Sequence, residues 1–137
     1  MLSRIFRIKK RPESLDNEVA EEAGRLFDSG RNCSESVFQS VTGLDNPQIL
    51  AMCKPFGGGI GGQKCLCGAV TGGDMALGLK GKGECAARLV ETFRKKYGAT
   101  CCSALSRPYR WKSKEHLANC RSITTVTASL TETLLKS

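Results

Sequence analysis

Apolar residues recur at three- and four-residue spacing along most of this chain, the period of a helix with one buried face. Val19, Ala23, Leu26 and Phe27 predict a helix over about 13–29. Asp16, Glu18, Glu21 and Glu22 load its early part, where the helix dipole favours negative charge, and Gly30 stands where a terminating glycine belongs. Asn32 and Glu35 have the spacing of a capping box, so a second helix begins at Cys33. It runs to about Thr42, with Val37 and Val41 on one face and Gly43 at its end. Asp45-Asn46-Pro47 reads as a turn into a short helix through Ile49, Leu50 and Met52 that stops near Pro55.

A glycine run follows, and then a helix over 68–80 built from small residues: Gly68, Ala69, Gly72, Gly73, Ala76 and Gly78, with Met75, Leu77 and Leu79 as its apolar content. Each glycine inside a helix costs about 0.5–1 kcal/mol relative to alanine, so several together imply close helix–helix approach. Residues 84–97 are amphipathic through Cys85, Leu89 and Phe93, and Gly98 ends them. Thr100 is placed to cap a short turn holding Cys101 and Cys102. Pro108 to Trp111 reads as a loop, and Ser113 opens a last helix with Leu117, Cys120, Ile123, Thr127, Leu130 and Leu134 on its apolar face. No segment shows sustained alternation. The expected fold is all-α: one compact domain over 13–137, a bundle of five to six helices with a glycine-rich loop, preceded by a basic tail over 1–12.

Composition narrows the chemistry. The 137 residues are 40% hydrophobic and 25% charged, ordinary for a globular domain, and no apolar run reaches the ~18–20 residues of a membrane span. The N-terminus is basic but lacks the apolar core and cleavage site of a secretion signal, so a cytoplasmic location is expected. The net charge of +8 is concentrated in residues 1–11, 80–96 and 107–121. Without a helix-turn-helix signature, zinc-finger spacing or interleaved aromatics, these blocks read as solvated faces, and nucleic acid is not expected as a partner.

Eight cysteines dominate what remains. A reducing compartment directs a cysteine-dense chain towards metal binding or redox chemistry and away from a disulfide scaffold. Cys33, Cys67 and Cys102 each fall at a predicted helix start, where unpaired N–H groups favour a thiolate and lower its pKa. Cys120 lies on the inward face of the last helix. Four thiolates brought together are sufficient for an iron–sulfur cluster, for tetrahedral zinc, or for thiol–disulfide cycling without metal. Cys33, Cys67, Cys102 and Cys120 are therefore both the candidate redox residues and the candidate metal ligands. Cys53 and Cys85 read as packing residues. Cys65 forms C-x-C with Cys67 and offers a spare ligand or a resolving thiol. The vicinal pair Cys101-Cys102 would form only a strained disulfide.

His116, the one histidine, stands at i, i+4 from Cys120; it reads as a helix-surface residue, the alternative being a proton-transfer aid to a thiol or a replacement ligand. Gly57 to Gly62 formally matches G-x-G-x-x-G, but no strand pattern precedes it. Gly57, Gly58, Gly59 and Gly68 are expected instead to bring backbone N–H groups close to sulfur.

The residues Asn32-Cys33, Phe56-Gly57-Gly58-Gly59, Cys67-Gly68-Ala69-Val70-Thr71-Gly72, Met75-Ala76-Leu77-Gly78-Leu79, Phe93, Tyr97-Gly98, Cys102 and Cys120 resemble a family of small redox-active proteins labelled by the pattern C…GCAxxG…C…C. The likeness runs from about Ala20 to about Ile123, and Cys67-Gly68-Ala69 stands where the label writes Gly-Cys-Ala. It implies that the family's four cysteines carry over onto Cys33, Cys67, Cys102 and Cys120. The family is similar in turn to a domain of split-Soret cytochromes that carries an iron–sulfur centre. This chain has no Cys-x-x-Cys-His, so covalent c-type haem is not expected. The expectation is electron transfer at a four-cysteine site, with an iron–sulfur cluster or other metal bound there. The alternatives are metal-free thiol–disulfide chemistry and a structural zinc. The redox partner is unassigned, and a homodimer is admitted as an assembly state.

Overall fold

A computed structural model describes residues 18–137; the basic tail expected over 1–12 and the helix start expected at 13–17 lie outside the described residues. Among the described residues the chain forms seven α-helices: α1 over 18–28, α2 Cys33–Thr42, α3 Pro47–Cys53, α4 Gly68–Leu79, α5 Ala86–Tyr97, α6 Cys102–Ser106 and α7 Lys114–Leu135. Short 3-10 turns follow α3 and precede α5, at Lys54–Phe56 and Gly83–Cys85. The fold is all-α, as expected. The count exceeds five to six because the Cys101-Cys102 turn continues into a helix of its own. Extended pairing among the described residues is one antiparallel bridge, Leu66 to Cys101.

The helix starts follow the residues that cap them. Asn32 accepts the Glu35 N–H and Glu35 accepts the Asn32 N–H, each at 2.9 Å, which completes the capping box. The Asn32 amide also donates to the Lys54 carbonyl at 2.8 Å, tying the start of α2 to the turn after α3. Asn46 caps α3 and Pro47 is its first residue. Cys101, not Thr100, occupies the cap position of α6. Asn32→Ala is expected to cost about 1 kcal/mol in urea unfolding, more than an ordinary surface substitution, because a cap and a tertiary bond are lost together.

Helix α4 sits at the centre, packed on α2, α7 and α5. Its glycines explain why. A Cβ on Gly72 would collide with the Ser34 backbone in α2, and one on Gly73 would lie 2.6 Å from both Leu89 of α5 and Thr131 of α7. Gly78 is the exception, with open space around it. The core gathers Val37, Phe38, Leu50, Val70, Phe93 and Ile123, and it includes Cys53, while Cys85 packs with Leu77, Leu89 and Leu134. Both cysteines are packing residues, as expected. Three expected apolar positions face out: Met52 is 68% exposed, Leu79 52% and Leu117 46%. In α7 the buried face is instead threonine-rich. Thr127 and Thr131 return their hydroxyls to the carbonyls of Ile123 and Thr127 at 2.7 Å each, which satisfies the polar atom and frees the methyl for packing.

Candidate functional site

Three helix starts and one helix flank converge on a cavity of about 530 Å3. Cys33 reaches it from the first residue of α2, Cys67 from the cap of α4, Cys102 from the first residue of α6 and Cys120 from α7. Phe27, Leu105, Trp111 and Ile123 make the rest of the wall largely apolar, while Arg31 and Lys112 also border it. Cys67 and Cys102 are buried and Cys33 and Cys120 half-buried.

The glycine run shapes one wall by an unusual backbone path. Five successive residues, Gly58 to Gly62, have positive φ, including Ile60 at 66°. Glycine adopts this region freely, whereas a residue with a Cβ pays about 1–2 kcal/mol, so only a chain this rich in glycine follows such a turn. The turn delivers the Gly58 N–H to the Cys33 sulfur. Gly58 and Gly68 line the cavity, and a Cβ on Gly68 would lie 2.5 Å from Cys33 Sγ. Gly57 and Gly59 are spent elsewhere: Gly57 lies against Asn32, and Gly59 against the backbone of Lys64 and Cys65.

Helix-start amides do face the sulfurs, those of Ser34 and Cys33 itself at Cys33 and those of Ala69 and Val70 at Cys67. The expectation that they lower the thiol pKa is nonetheless corrected. Burial outweighs them and pushes both thiols up, and a charge on a neighbouring site cysteine raises each further. Cys120 is pushed up to about 12 by burial and by its neighbours Cys33 and Cys102. Bare thiolates are therefore disfavoured here near neutral pH unless a cation compensates them.

His116 is not a surface residue. It is 3% exposed and lines the cavity, with its ring tilted over Trp111 at 4.4 Å between centroids. Its Nδ1 accepts the Lys112 N–H at 3.0 Å, so in the neutral ring Nε2 carries the proton. Nε2 lies 3.1 Å from Ser106 Oγ and 3.5 Å from Cys120 Sγ, and Ser106 Oγ lies 3.8 Å from Cys102 Sγ. One polar chain thus links two of the four sulfurs. Burial, and then the Lys64 charge, push the His116 pKa down, so the neutral ring is favoured and its one Nε2 proton faces Ser106 Oγ and Cys120 Sγ. The signal in the sequence was the i, i+4 spacing to Cys120; Ser106 and Trp111 carried none.

The family model described as "Putative redox-active protein (C_GCAxxG_C_C)" matches residues 31–134. The chain belongs to this family. No curated protein and no solved structure shows a significant match to it. The family's pattern names four cysteines, and in this member the positions that resemble it, Cys33, Cys67, Cys102 and Cys120, are the four that share the cavity.

The donor set bears on what such a cavity fits. Among the described residues, no three His, Cys, Asp or Glu side chains stand close enough together to hold a single ion. Tetrahedral zinc, with Zn–S bonds of about 2.3 Å, needs sulfurs within about 4 Å of one another. The sulfurs of Cys33, Cys67, Cys102 and Cys120 line one cavity of about 530 Å3. Among the described residues, no helix is long and apolar enough to cross a membrane.

Proposed function

We propose that this member of the redox-active family transfers electrons at a four-cysteine site, with Cys33, Cys67, Cys102 and Cys120 holding an iron–sulfur cluster. The observation that carries the reading is the convergence of four cysteines, far apart in the sequence, on one apolar cavity. Bound there, a cluster would supply reversible one-electron chemistry. The chain's own residues do the rest. Amides of Gly58, Ser34, Ala69 and Val70 offset negative charge on Cys33 and Cys67. Neutral His116 donates towards Cys120, and the apolar wall keeps water from sulfur. The raised thiol pKa values favour this reading over bare thiolates, since a bound cation displaces the protons that burial retains. The basic segment around Lys64 and Lys112 suits an acidic redox partner.

Protein purified without oxygen, or reconstituted with ferrous iron and sulfide, is expected to hold iron and acid-labile sulfide in fixed ratio and to absorb visible light that bleaches on reduction. Serine at Cys33, Cys67, Cys102 or Cys120 is expected to remove the absorption, and serine at Cys53 or Cys85 to leave it. A colourless protein that binds neither element would sink the cluster reading. Stoichiometric zinc, with unfolding by chelator, would replace it with a structural metal site.

A further inference from the structure

Cys65 and Cys101 are exposed, while the site cysteines are buried or half-buried. The bridge at Leu66 and Cys101 fixes how these residues face one another. Cys102 N–H donates to the Cys65 carbonyl at 2.6 Å, and Cys67 N–H donates to the Thr100 carbonyl at 2.8 Å. These two bonds flank the Leu66–Cys101 pair, so Cys65 stands opposite Cys102. Residues opposite each other in an antiparallel pair send their side chains to the same face, with Cβ atoms about 4.5–5.5 Å apart and Cα atoms about 5.5 Å apart. A disulfide spans Cα atoms about 4.4–6.8 Å apart and Cβ atoms about 3.5–4.5 Å apart, so residues held in this register come within reach of one after local adjustment. Cys101 points to the other face. Cys67 shares the face but lies two residues along the same strand, about 6.6 Å away. The Cys65 thiol is loosely held, its Sγ only 3.9 Å from the Gln63 carbonyl, while its backbone is pinned by an N–H bond to Gly59 at 2.8 Å.

We propose that Cys65 is the point at which small disulfides in solution reach the cysteine site, taking the first mixed disulfide and passing it to Cys102. This rests on the reading of Cys102 as a residue of the redox site. The Cys65 thiolate attacks one sulfur of a disulfide RSSR; the S–S bond breaks, Cys65–S–SR forms, and RS⁻ leaves and is protonated to RSH. Cys102 then attacks the Cys65 sulfur, the Cys65–Cys102 bond forms, and the second RS⁻ leaves as RSH. Two protein thiols are oxidised, one disulfide is reduced to two thiols, and the two thiol protons end on the two RSH molecules. Run in reverse, the same steps let a small thiol restore Cys102. Were a metal held there, the exchange would take Cys102 from the residues available to hold it.

The test uses the full-length reduced protein, oxidised glutathione as the probe, and mass spectrometry of intact and digested chains. The expected product is a chain two hydrogens lighter, cross-linked between Cys65 and Cys102, that also forms in Cys101→Ser. Cys102→Ser is expected to stop at a stable glutathione adduct on Cys65, and Cys65→Ser to slow oxidation of Cys102 roughly tenfold or more. A first bond between Cys65 and Cys67 or between Cys101 and Cys102, or unchanged oxidation of Cys102 in Cys65→Ser, would overturn the proposal. Iron content measured on the same samples separates the two readings. Iron without the cross-link defeats this inference alone, and the cross-link in a protein that binds no iron defeats only the cluster.

Discussion

Gly72→Ala is expected to destabilise the protein by roughly 2 kcal/mol, although alanine is the better helix former. The added Cβ would meet the carbonyl and Cα of Ser34, which are backbone atoms of α2 and cannot swing aside. A helix-interior gain of at most about 1 kcal/mol is set against an overpacking cost that commonly reaches 3 kcal/mol. Gly78→Ala supplies the contrast on the same helix. Gly78 is exposed and a Cβ there meets nothing within 4 Å, so this variant is expected to gain about 0.5–1 kcal/mol. Urea unfolding of the two variants beside the parent reads both. Equal stability for Gly72→Ala would mean that α2 and α4 do not approach as closely as described. Because Ser34 follows Cys33 and Gly72 lies just over a turn beyond Cys67, the collision would also shift two of the site sulfurs.

The second large effect is a loss of stability in alkali for the metal-free, reduced protein. Cys33, Cys67 and Cys120 all have folded-state pKa values above those of the unfolded chain. Below about pH 8.5 these thiols are protonated in both states and their contribution is fully present. Above it the unfolded chain sheds protons first, so it binds fewer than the folded chain and stability falls with rising pH. The fall continues until each folded thiol ionises, near pH 12 for Cys120. For the deeply buried Cys67 alone the slope approaches about 1.4 kcal/mol per pH unit. Urea midpoints from about pH 7 to pH 10.5 should drop steeply in the parent and less in Cys67→Ser, which separates the thiol from lysine and tyrosine titration. A flat profile would contradict the burial of these sulfurs.

Much of this architecture is written in short-range signals. Asn32 with Glu35, Pro47, Gly43 and Gly98 mark helix ends by local backbone chemistry, and those ends stand where the sequence puts them. The glycines of α4 announce close packing because their helical cost demands a tertiary reason, and all but Gly78 of Gly68, Gly72, Gly73 and Gly78 meet a neighbour. Three helix starts put Cys33, Cys67 and Cys102 on the wall of one cavity. What was illegible depends on contacts across the fold. The inward face of α7 takes in Thr127 as expected but also His116, Thr124 and Thr131, polar residues that a hydrophobicity pattern discounts, while Leu117 is 46% exposed. His116 becomes a site residue only because the preceding loop folds back and supplies the Lys112 amide and the Trp111 ring. The thiol pKa values reversed their expected direction for a similar reason. The helix-start amides are local, but the desolvation that outweighs them comes from remote walls.

The four sulfurs come from segments spread over most of the described chain, and the contributor latest in order is α7, which brings Cys120 together with His116. During synthesis, Cys33, Cys67 and Cys102 leave the ribosome well before α7 can dock. For that interval the nascent polypeptide displays three thiols without the wall that shields them. Closure of the cavity around Cys33, Cys67 and Cys102 is thereby placed after α7 has docked.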